Sequence, residues 1–79
     1  MVKAEIRIEL KPGVADPEGE NTKKALELLG FEGVIGCKSA KLFEMDLNMG
    51  KLEAKEACEE MCKRLLSNPV IQTYKISVK

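Results

Sequence analysis

Residues 34–48 read VIGCKSAKLFEMDLN. In the second half of this stretch Phe43, Met45 and Leu47 alternate with Glu44, Asp46 and Asn48, the period-two pattern of a strand with one apolar face. Ile35, Cys37, Ser39 and Lys41 share the parity of Phe43, and Val34-Ile35 gives the first half extended character as well. A two-residue hairpin wants Gly, Asn or Asp at its centre. The midpoint here is Ser39-Ala40, so the segment reads as one strand running through. Its fifteen residues would span roughly 50 Å at ~3.3 Å per residue. A compact chain of this size has a radius of gyration of only ~12 Å. Such a strand overhangs its own chain and exposes an unpaired edge together with Phe43, Met45 and Leu47, which proteins avoid. Pairing with a second copy removes both problems. Phe43, Met45 and Leu47 are therefore the candidate dimer-interface residues.

The flanking elements fall into place around this segment. Upstream, Val2, Ala4, Ile6, Ile8 and Leu10 alternate with Lys3, Glu5, Arg7, Glu9 and Lys11, which predicts a strand with one buried face, ended by Pro12-Gly13. Asp16-Pro17 is a helix start: Asp accepts from free backbone amides, and Pro at the first helical position sacrifices no hydrogen bond. Thr22, Ala25, Leu26 and Leu29 form the apolar stripe of that helix, and Gly30 closes it. Downstream of Asn48-Met49-Gly50, a second helix carries Ala54, Ala57, Cys58, Met61, Cys62, Leu65 and Leu66 on one face and stops at Asn68-Pro69. A last strand puts Val70, Gln72, Tyr74, Ile76 and Val78 on one side. The order is strand, helix, strand, helix, strand. With the middle strand folded back it would be the ferredoxin-like βαββαβ arrangement. Either version predicts an α+β fold: an antiparallel sheet with two helices on one face, a single domain over residues 1–79, and a sheet shared across a dimer.

Composition narrows the function classes. Thirteen Lys and Arg balance thirteen Asp and Glu. A neutral chain lacks the positive excess that nucleic acid or an anionic membrane demands, and three aromatic residues leave little for base stacking. The opening residues alternate charge with apolar character, unlike a signal peptide, and no apolar run approaches the ~20 residues of a membrane span. Three cysteines are an odd number, which suits a reducing compartment. The expected location is cytoplasmic.

No catalytic constellation emerges. The chain has no His, so Cys37 lacks the usual base for a nucleophile. Cys58 and Cys62 are four apart on one helical face, but a zinc site wants about four ligands. They read as small hydrophobes of the stripe. Glu53, Glu56, Glu59 and Glu60 are solvated charges facing Lys55 and Lys63. Gly33 and Gly36 precede a strand, not the helix that a phosphate-binding loop requires. Lys41 stands out as a charge on the apolar parity of its strand. It either reaches a partner or an anion, or snorkels to solvent at a sheet edge.

Several runs carry a family likeness: Asp16-Pro17-x-Gly19, Ala25-Leu26, Leu29-Gly30-Phe31, Lys41 within the strand, and Cys62-x-x-Leu65-Leu66-x-Asn68-Pro69-Val70-Ile71-x-x-Tyr74. Together they cover nearly the whole chain, and the Leu65–Tyr74 run is the most specific. The chain resembles the PurS family, the small subunit of phosphoribosylformylglycinamidine (FGAM) synthase. Ala40 stands where family members usually carry Gly, which would ease a bend. The resemblance implies a homodimeric, non-catalytic adaptor, with further pairing of dimers conceivable. It would bridge a glutaminase subunit and a large synthetase subunit in de novo purine biosynthesis. It implies no cofactor on this chain, with ATP and Mg used by the large subunit. Asp16, Pro17, Gly19, Lys41, Asn68, Pro69 and Tyr74 become candidate partner-interface residues. A dimeric ferredoxin-like regulatory domain that binds a small metabolite is the competing reading.

Overall fold

The computed structural model describes residues 1–79. Three strands, β1 (Val2–Leu10), β2 (Ala40–Leu47) and β3 (Gln72–Val78), form an antiparallel sheet in the order β2-β1-β3. Helix α1 (Pro17–Leu28) links β1 to β2, and α2 (Lys51–Met61) with a π-helical turn over Cys62–Leu66 links β2 to β3. The α+β class expected from the pattern is what the chain adopts.

The alternation in β1 dictates where the core lies. Ala4, Ile6 and Ile8 are buried, while Lys3 and Arg7 on the other parity are exposed. Register carries this face across the sheet: Ile6 sits between Phe43 and Ile76, and Ala4 between Met45 and Val78. Helix α2 and the π turn that continues it cover the face with Ala54, Cys58 and Cys62, all fully buried. Small side chains at four-residue spacing let the helix approach the sheet closely. The π turn explains why one member of the expected stripe points elsewhere. Ser67 N–H donates to the Cys62 carbonyl at 3.0 Å, five residues back. This wider turn rotates the chain less per residue. Leu66 reaches the core as a half-buried neighbour, and Leu65 stops short of it at 83% exposure.

Three sequence expectations change here. The middle strand covers only Ala40–Leu47, not residues 34–48; residues 31–39 have no regular secondary structure. Strand β2 starts where its partner ends, with Ala40 opposite Glu9. The residues before it lie beyond the end of the β1 ladder and have no strand to pair with. Second, Phe43, Met45 and Leu47 are not left uncovered. They are half-buried against the chain's own core, where β1 pairs one edge of β2 and Cys58 and Cys62 pack on its face; the other edge of β2 has no partner within the chain. Third, the apolar stripe of α1 is not buried. Only Gly19 is buried in that helix, and Leu29 is 75% exposed. The helix makes no extensive contact with any other element. The molecule is accordingly long, 48 × 25 × 15 Å, with a radius of gyration of 15.9 Å, well above the ~12 Å of a compact chain of this size.

Candidate functional site

The sequence's candidate partner residues gather at the end of the sheet where β1 leaves and β2 and β3 begin. Asp16 is the N-cap of α1. Its Oδ1 accepts from Gly19 N–H at 3.0 Å, and Pro17 follows at the first helical position. The same carboxylate accepts from Ser39 twice, Oδ2 from the backbone N–H and Oδ1 from the hydroxyl, both at 2.7 Å. The two Ser39 bonds and the Gly19 bond hold the Asp16 carboxyl below the usual aspartate range, the Ser39 backbone N–H contributing most. Such bonds favour the charged form. Gly19 is needed at its position, since a Cβ there would overlap the Cys37 carbonyl oxygen.

Lys41 sits beside Ile8, with Tyr74 on Ile8's other side, so all three lie in one row on the core face. At this edge of the sheet Lys41 is exposed, as its polarity requires. Asp16, Pro17, Ser39, Lys41 and Gln72 line a shallow cleft of about 230 Å³. Asn68 and Pro69 close the approach to β3: Lys11 Nζ donates to the Pro69 carbonyl at 2.8 Å, and Asn68 Oδ1 accepts from Val70 N–H at 3.1 Å. Tyr74 is half-buried against the core. Ala40 takes a regular place in the ladder opposite Glu9, with no left-handed backbone.

Sequence reasoning missed Ser39 as a partner of Asp16, reading it as a strand position with poor turn chemistry. The signal was a helix-capping Asp with two oxygens to fill and one local donor. It also missed the exposure of four large apolar residues close together in sequence, Leu28 (89% exposed), Leu29, Phe31 and Ile35 (92%). Of these four only Leu29 belonged to the stripe expected to be buried.

Cys58 and Cys62 are buried free thiols, and burial pushes both thiol pKa values up, which keeps them protonated and inert. No group of three or more His, Cys, Asp or Glu side chains is assembled around a common point. No helix is long and apolar enough to cross a membrane.

Residues 3–79 match the family model for PurS, phosphoribosylformylglycinamidine (FGAM) synthase. The chain belongs to the PurS family. A PurS subunit of phosphoribosylformylglycinamidine synthase from Archaeoglobus fulgidus is 53% identical over 74 residues, covering 92% of each chain. The crystal structure of PurS from Methanocaldococcus jannaschii superposes with a TM-score of 0.91 at 43% identity, covering 100% of this chain and 96% of that one. A chain in the structure of PurLQS from Thermotoga maritima aligns with a TM-score of 0.74 at 26% identity, over 99% of this chain and 96% of that one. The runs Asp16–Gly19 and Leu65–Tyr74 form the α1 cap and the passage from the π turn into β3.

Proposed function

We propose that this chain is the adaptor subunit of an FGAM synthase in de novo purine biosynthesis, working in the cytoplasm as a homodimer. The reaction joins formylglycinamide ribonucleotide, glutamine, ATP and water to give FGAM, glutamate, ADP and phosphate. A glutaminase subunit releases ammonia. A large synthetase subunit, which uses ATP and Mg, activates the amide oxygen and accepts the ammonia. This chain binds no cofactor and supplies no reacting group; it holds the two active sites in register. Ammonia at neutral pH is mostly protonated and escapes to solvent unless it travels a closed path, so rigid docking is itself the contribution.

One observation carries the reading: a PurS-family chain whose fold aligns over nearly its full length with a chain of the PurLQS structure. The surface agrees with it. Leu28, Leu29, Phe31 and Ile35 are exposed within eight residues, an apolar concentration that marks an association surface. Self-association through it covers what the chain leaves open.

The test is a reconstituted synthase assay with the two larger subunits, with and without this chain. Omitting it is expected to abolish glutamine-dependent turnover while sparing turnover driven by added ammonium salt. Equal glutamine-dependent rates with and without the chain would refute the adaptor reading.

A further inference from the structure

We infer that the Asp16 carboxylate is a clasp that closes α1 and residues 31–39 into one arm and sets the angle of that arm to the sheet. Helix α2 is held to the sheet by buried Ala54, Cys58 and Cys62. Helix α1 has no such anchor, since its one buried residue is Gly19. What fixes it is polar and sits at its first turn. The segment after α1 is tied to the helix at both ends. At the far end Gly30, at φ +94°, turns the chain: Gly30 N–H donates to the Glu27 carbonyl and Phe31 N–H to the Leu26 carbonyl, both at 3.0 Å. This is the Schellman arrangement. The segment then returns to the N-terminus of α1, where Ser39 donates twice to Asp16.

Both halves of the clasp leave little freedom. Gly19 N–H and Ser39 converge on one carboxylate from two parts of the chain that are 20 residues apart. The Cys37 carbonyl packs so closely on Gly19 that no side chain fits between them. Ser39 is followed at once by Ala40, the first residue of β2. The clasp therefore joins the start of α1 directly to the start of β2. An arm free at its outer end and locked at its root presents Leu29, Phe31 and Ile35 at one fixed orientation. That its orientation matters for the self-association proposed above, and through the dimer for docking of the larger subunits, rests on the adaptor reading; the clasp itself does not.

Hydrogen exchange on the full-length chain tests the clasp. In Asp16→Ala, the hydrogen-bonded amides from Glu20 to Phe31 are expected to exchange about tenfold faster or more, with β1 and α2 unchanged, as local opening requires. Ser39→Ala, which removes only the hydroxyl bond, should give a smaller change in the same segment. Unchanged exchange of Glu20 to Phe31 in Asp16→Ala overturns the clasp. So does loss of protection spread evenly over β1 and α2 in Ser39→Ala. The docking role is read in the reconstituted synthase: Asp16→Ala should lower glutamine-dependent turnover and leave ammonium-driven turnover intact, with Asp16→Asn intermediate. A loosened arm with full glutamine-dependent turnover overturns the docking role. A synthase that does not need even the wild-type chain does the same, while the exchange result still supports the clasp.

Discussion

Asp16 shows how one side chain can serve two structures at once, capping a helix and binding the segment that begins a strand. Its carboxyl is held below the ordinary aspartate value of about 3.9 by the Ser39 and Gly19 bonds. The unfolded chain therefore binds that proton more tightly. The stability linked to Asp16 is fully present above the ordinary value and is lost as pH falls through it toward the folded value. Glu9, lowered by its bond to Arg7, titrates in the same direction, so the comparison has to be made by substitution. Urea midpoints at pH 5 and pH 3 should fall less in Asp16→Asn than in the wild-type chain. The thiols give a second residue-scale prediction. Cys37 is half-buried while Cys58 and Cys62 are fully buried with raised pKa values. A thiol reagent should therefore label Cys37 in the native protein and reach the other two only on unfolding, as counted by mass spectrometry.

Among the elements, β1 carries the fold. It is the central strand, it pairs on both sides, and its inward residues meet α2. Ile6 is 0% exposed, between Phe43 and Ile76. Ile6→Ala should cost ~2–5 kcal/mol, a large share of the roughly 5–15 kcal/mol that holds a domain together. Thermal unfolding followed by circular dichroism should show a fall of roughly 10 °C or more. Helix α1 is the opposite case. Its cap, its Pro and its terminal Gly are all where local chemistry puts them, yet of its stripe only Leu26 is as much as half-buried within the chain. Twelve residues are marginal for an isolated helix in water, so α1 depends on its clasp at one end and on what covers its outer face.

For the whole molecule, the long shape and the apolar arm argue together for association. A substitution at a surface position of a free chain usually moves stability by no more than ~0.5 kcal/mol. Ile35, at 92% exposure, is such a position in the chain alone but not in a dimer that buries it. Ile35→Glu should leave the far-UV circular dichroism unchanged and convert a dimer to a monomer in sedimentation velocity. A wild-type chain that sediments as a monomer at micromolar concentration would remove the reason for the arm's apolar surface.

The elements themselves were legible from local pattern. Alternation marked β1 and the Phe43–Leu47 half of β2. Asp16-Pro17 and Gly30 bounded α1, and Ala54, Cys58 and Cys62 named the inner face of α2. These follow from backbone geometry, which sets periods of two and 3.6 residues wherever the chain lies. What no period contains is which face meets which. Only the tertiary structure made β2 begin at Ala40, because pairing requires a neighbour and β1 runs out at Leu10. The same absence of a facing surface left the α1 stripe open, and it was the folded chain that brought Ser39 to Asp16 across 23 residues of sequence.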